Sequence, residues 1–324
     1  MSEANRADRL RRRVDVRPES GGVVMATGIV SVSLRLEHAE FLSGVLLVLT
    51  AVAWGLLGLT VVVRASEVPA RWRSAARRPA ALTAVAGTAV LGTRLALLGW
   101  TWAGWPLLAL ALILWLALAP FSSIGRRALG ASFLTVVAPQ SLAVLAASLA
   151  QRTGLLWPAI AAVAPFLFGV AAYAVTLARF DFEQLRAGRG DQWIAGGALA
   201  ISTLACGEMA RALIAHRAWG GEPLRIGTIV LWALSVAWLP ALLFTELRWP
   251  RLGYNLARWG TVFPLGMYAV MSATAGEVAS LRLVIDLGRA MAWIAFAAWC
   301  VLAAGAARRA PALARRALAR GSRD

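Results

Sequence analysis

The chain has 324 residues, of which 60% are hydrophobic and only 15% charged. Soluble domains hold about 45–50% apolar residues, so a pair of ordinary soluble domains is excluded. Its 33 basic residues, all arginine, outnumber 16 acidic ones to give +17. They fall in loops and tails rather than on one face, so no nucleic-acid partner is expected.

Residues 1–20 are polar and basic, without the short apolar run and small-residue cleavage site of a secretory signal. Residues 1–18 read as a cytoplasmic tail. A helix crosses the bilayer core with about 20 mostly apolar residues. Ten such segments follow in a transmembrane domain over 19–306, at about 19–37, 41–63, 79–99, 105–122, 131–151, 154–178, 192–215, 225–246, 258–280 and 284–306. The long apolar window 95–125 is divided by Gly99, Trp100, Trp102, Gly104 and Pro106 into the end of one span, a turn and the start of the next. The run Leu107–Leu114 does not alternate, which excludes a barrel strand. Residues 307–324 form a second basic cytoplasmic tail. The predicted class is an all-α polytopic membrane protein.

The odd-numbered segments carry small and polar residues, among them Thr27 and Gly28, Gly87 and Thr88, Thr135 and Pro139, Gly197 and Ser202, and Pro264. The even-numbered ones are mostly Leu, Val, Ala and Trp; 105–119 has no hydroxyl, amide or charge. Lipid contact favours the second kind, and close helix packing or a wet interior the first. The pattern reads as five quasi-repeated helical hairpins. Odd helices then line a central pore and even helices lie outside; tight packing with no pore is the alternative. Pro139 and Pro264 each remove one helical hydrogen bond, either turning backbone groups toward a path or merely kinking the helix.

Arginine placement orients the chain. With the N-terminus inside, 25 arginines fall on cytoplasmic segments and 8 on outer ends, so both termini are expected inside. Arg35, Arg94, Arg152, Arg211 and Arg282 stand near the outer ends of odd helices. They either ring an anion-attracting vestibule or snorkel to the headgroups. Glu208 and Arg211 are spaced i,i+3, so they either neutralise each other or leave Arg211 to the vestibule. Glu277 either pairs with an arginine there or carries a coupling proton. The midplane of the odd helices holds no fixed charge, which excludes tight ion pairing of a dianion at depth. Phe263, directly before Pro264, is either a plug in a narrow path or plain core.

No HExxH, aspartate-rich diphosphate motif or phosphate-binding loop is present. Cys206 and Cys300 lie in apolar segments without paired spacing, and His38 and His216 lie near outer helix ends. No enzyme activity, metal or cofactor is expected.

The segments Gly22–Ser31, Phe133–Ser141, Gly190–Ile201 and Trp259–Ala269 together resemble the tellurite-resistance/C4-dicarboxylate transporter family, which includes plant slow anion channels, fungal malate permeases and sulfite efflux pumps. The resemblance runs from about residue 18 to 306. It implies ten helices in five hairpins, a pore of odd helices in each subunit of a homotrimer, and an occluding phenylalanine matched here by Phe263. Ala26 departs from the glycine common in relatives, and long cytoplasmic tails are lacking. The expected function is a gated channel or facilitated transporter for small anions in a bacterial inner membrane. A proton-coupled dicarboxylate or sulfite carrier is the alternative, and a non-transporting scaffold the reading from another class.

Overall fold

The computed structural model describes residues 20–67, 77–121, 125–250 and 253–320. The N-terminal tail expected at 1–18 lies outside them. The long helices are α1 (Gly21–Leu36), α2 (Glu40–Glu67), α3 (Thr83–Leu97), α4 (Thr101–Leu118), α5 (Leu134–Thr153), α6 (Trp157–Ala161 continued by Val163–Ala178), α7 (Ile194–Ala215), α8 (Gly221–Val236 continued by Trp238–Arg248), α9 (Trp259–Ala279) and α10 (Arg282–Arg320). No β-strand occurs among the described residues; one isolated bridge pairs Ala128 with Phe180.

Eight of these helices are long and apolar enough to cross a bilayer, α3 together with the short turn Pro79–Leu82 that leads into it. The two that fall short are α1, with 16 residues, and α9, whose 21 residues are diluted by Gly, Thr, Ser and Pro. The fourth helix starts earlier than expected, at Thr101, because the chain reverses tightly at Gly99. The last helix runs to Arg320, so most of the expected C-terminal tail is helical.

The interruptions in α6 and α8 have one cause. Both fall four residues before a proline, Pro165 and Pro240, whose missing N–H leaves the carbonyls of Ala161 and Val236 without a helical partner. Pro139 and Pro264 interrupt neither α5 nor α9.

Burial sorts the helices into two layers. In the most apolar stretches of α3, α5 and α7, 78%, 100% and 78% of residues are buried; in α2, α4, α6, α8 and α10 the share is 11–28%. All of α9 from Thr261 to Gly276 and most of α1 are buried as well. Each odd helix packs on the even helix that follows it. The odd helices also pack on one another in a closed cycle: α1 on α3, α3 on α5, α5 on α7, α7 on α9, and α9 back on α1. The inner layer is therefore a ring of five.

Each odd helix ends in a left-handed residue: His38 (φ 57°), Gly99 (φ 87°), Gly154 (φ 69°), Arg217 (φ 51°) and Ser280 (φ 58°). Four of the ends close with a bond running five residues back, such as Ala39 N–H to Leu34 O at 2.9 Å and Leu281 N–H to Gly276 O at 2.8 Å. These caps reverse the chain into the next even helix. The hairpin repeat is thus written in the backbone, although only two of the five residues are glycine.

Tryptophans stitch the layers. Trp54, Trp232 and Trp299, on even helices, donate their indole N–H to Thr88, Ser272 and Thr27 at 2.9, 3.1 and 3.0 Å. A lipid-facing helix has no water for its indole N–H, so an inner-helix hydroxyl satisfies it. Close approach elsewhere depends on glycine: a Cβ at Gly197 would lie 2.7 Å from Pro264 Cγ, and one at Gly288 would lie 2.8 Å from the Ala273 nitrogen.

Candidate functional site

A cavity of about 90 Å³ lies inside the ring, and all five odd helices line it. The lining comes from the C-terminal halves: Ile29 and Leu36 of α1, Val90 and Leu97 of α3, Ser141 and Gln151 of α5, Ile201 and Arg211 of α7, Met267 and Glu277 of α9, with residues between them. Five C-terminal halves can meet around one space only if the five helices run in the same direction. The volume suits a few waters or one small solute.

The cavity is apolar at its depth and polar toward the helix ends. On α7 the lining residues are Ile201, Leu204, Glu208 and Arg211; on α9 they are Met267, Val270, Thr274 and Glu277. These spacings of three and four mark one helix face. One turn further along the same face of α9 stands Phe263, which is completely buried. The matching position on α7 is Gly197, packed on Pro264. Phe263 is not part of the cavity lining; it stands one turn beyond Met267 among buried side chains.

At the polar end, Arg211 Nη1 contacts Glu277 Oε2 at 2.9 Å and Glu208 Oε1 at 3.4 Å. Gln151 donates to Glu208 Oε2 at 2.6 Å, and Thr274 Oγ1 lies 3.4 Å from Glu208 Oε1. The charged lining residues are Arg152, Arg211, Glu208 and Glu277, two cations and two anions. The group holds α5, α7 and α9 together around the mouth and contributes no formal net charge to it.

Of the expected vestibule residues, Arg211 and Glu277 thus line the cavity. Arg35 forms an ion pair with Glu40 at the start of α2. Arg94 turns between α1, α2 and α3: its Nε donates to Ser31 and Ser43 hydroxyls, both at 3.1 Å, and Nη2 to Ser43 at 2.8 Å. Arg35, Arg94 and Arg152 each stand in the last turn of their helix, where a cation offsets the negative end of the helix dipole.

The small and hydroxyl residues expected along the path stand elsewhere than on this cavity. Thr27 and Thr88 accept from tryptophans of the outer layer. Gly28 packs on Val90 and Thr50, and Gly87 on Val24. Thr135 and Ser202 bond carbonyls of their own turns, Ser132 O at 2.8 Å and Ala198 O at 2.9 Å. Pro139 is buried within α5. Gly197 and Pro264 pack on each other beside Phe263. Thr93, Ser141 and Thr274, which belong to the same small and polar set of the odd helices, do line the cavity, as do Ser148 and Gln151, which composition missed. Stepping back by three and four residues from Arg211 and Glu277 finds the α7 and α9 faces.

Among the described residues, no group of three or more His, Cys, Asp or Glu side chains is placed to hold a metal ion. Several buried hydroxyls, Thr93, Thr135, Ser141, Ser202 and Thr203 among them, donate to carbonyls of their own helical turns. The arrangement offers a small, mostly apolar cavity with a polar, charge-balanced mouth.

A profile of the family described as voltage-dependent anion channel matches residues 15–307. An uncharacterised membrane protein of Mycobacterium tuberculosis, in strains CDC 1551 and H37Rv, is 34% identical over 116 residues. That match covers 34% of this chain and 58% of the relative, so the chain spans little more than half the length of the proteins it matches.

Proposed function

The chain belongs to the voltage-dependent anion channel family, and from that premise we propose that it passes small anions through the ring of α1, α3, α5, α7 and α9. All ten long helices span the membrane in this reading. The short α1 and the diluted α9 do so because they face protein on every side and need little lipid-compatible surface. The 25 arginines on one side set the N-terminal ends of the odd helices toward the cytoplasm of a bacterial inner membrane. A homotrimer, each subunit with its own pore, completes the assembly.

Phe263 is the gate. The observation that carries this reading is the cavity enclosed by all five odd helices, which ends one turn short of the fully buried Phe263 ring. A ring swung aside joins the cavity to the far side; a ring in place closes it sterically. Phe263→Ala, reconstituted in liposomes, is expected to raise chloride or nitrate flux at least tenfold over the wild type. Wild-type flux from a folded variant would remove the gate.

A proton-coupled dicarboxylate or sulfite carrier remains a second reading because two carboxylates, Glu208 and Glu277, line the cavity. A pH gradient imposed on the same liposomes separates the two. Uptake that the gradient drives and Glu277→Gln abolishes belongs to the carrier. Flux indifferent to the gradient belongs to the channel, and no anion flux at all belongs to a scaffold.

A further inference from the structure

We propose that Arg94 is the fixed positive charge that sets anion selectivity, acting through the wall of the ring rather than from its mouth. The proposal rests on the anion-passage reading above. Arg94 is only 1% exposed, the largest fully buried side chain among the described residues. It has no acidic partner among the described residues; its donors go to neutral hydroxyls, and Nη1 has no protein partner. Snorkelling is ruled out by that burial.

The serines are already committed elsewhere. Ser31 Oγ donates to Ser43 O at 2.7 Å and Ser43 Oγ to Ser31 O at 2.6 Å, so each hydroxyl presents only lone pairs to the guanidinium. Ser31 lies on the face of α1 away from the cavity-lining Ile29, Val32 and Leu36. The charge is therefore held behind α1, within about one helix width of the cavity.

A buried cation without an acidic counter-ion is costly, and its bonds to Ser31 and Ser43 and its place at the end of α3 leave a full formal charge inside the protein. Its effect reaches the cavity because the other charges there cancel. Arg211 is held by Glu208 and Glu277, and Arg35 by Glu40. The intervening wall is protein, so mobile ions do not screen Arg94 as they screen a charge at the rim. One unit charge at roughly 10 Å in a medium of effective dielectric about 20 raises anion occupancy by about tenfold and lowers cation occupancy likewise. Arg94 never touches the anion. It is a specificity-determining residue that acts at a distance.

Two variants test this in liposomes and planar bilayers, with chloride and sodium as probes. Arg94→Gln removes the charge. Ser43→Asp keeps the arginine and its clamp but places a carboxylate against Nε and Nη2. Both are expected to cut chloride flux about tenfold and move the reversal potential toward loss of anion preference, equally at 20 mM and 500 mM salt. Arg94→Lys is expected to restore most of the preference. Chloride flux and reversal potential like the wild type in either folded neutralising variant would overturn the proposal. So would a loss that Arg94→Lys fails to restore, since that marks a structural clamp. Absence of flux from the wild type would instead overturn the anion-passage reading itself.

Discussion

His216 shows how much one residue can tie together at the outer surface. Its Nδ1 lies 2.8 Å from Ala212 O on its own helix, and its Nε2 lies 2.9 Å from Gly154 O at the end of α5. A neutral imidazole has one N–H and can serve only one of these carbonyls; the imidazolium serves both. The Gly154 and Ala212 carbonyls accordingly raise the pKa above its ordinary 6.5. A raised folded-state pKa means the strap is complete below pH 6.5 and weakens as pH rises through the higher folded value. Amide exchange at residues 154–156 is expected to be slow at pH 6 and faster at pH 8.5, and His216→Ala should erase the difference. A His216 resonance titrating below 6.5 would refute the assignment. Such a bridge is not legible in sequence, because His216 and Gly154 lie 62 residues apart. Arg94 was equally hidden. Its place near a helix end is plain in the sequence, but the direction of its side chain depends on Ser31 and Ser43, which only the fold brings together.

Among the elements, the helices themselves were legible and the way they end was not. Unbroken apolar runs mark them, and prolines mark the breaks within α6 and α8 once the lost bond four residues earlier is counted. The caps carry no such mark, because His38, Arg217 and Ser280 adopt the left-handed conformation that favours glycine. This leads to a stability prediction. Ser280→Gly and His38→Gly should each stabilise the protein by about 1 kcal/mol, and Gly99→Ala should destabilise it by a similar amount. Thermal unfolding in detergent measures all three, and a lower melting temperature for Ser280→Gly would refute the cap argument. The inner faces were the least legible feature of the helices. A helix that is apolar all round gives no periodic signal of which side faces the lumen. The hydroxyls that suggested a wet path at Thr27 and Thr88 are bound to tryptophans of the outer layer.

For the molecule as a whole, the split between lipid-facing and buried helices was readable from composition, since 105–119 carries no polar side chain at all. The closure of the ring was not, because it depends on α9 meeting α1 across more than 200 residues of chain. The closed ring also has a polarity. Its five helices share one direction, and α1, α3, α5 and α9 have no acidic residue in their first turn. At their opposite ends the negative dipole ends stand beside the charge-balanced mouth. The uncancelled positive ends therefore gather at the N-terminal side. A passage whose two openings concentrate anions unequally is a rectifier. Channels inserted in one orientation should carry more current when anions enter from the N-terminal side than at the reversed voltage. Screening should flatten this asymmetry between 20 mM and 500 mM salt, and a symmetric current–voltage curve at low salt would disprove it. The protein would then favour one direction of negative charge through the polarity of its helices, with the Phe263 ring deciding only whether anything passes.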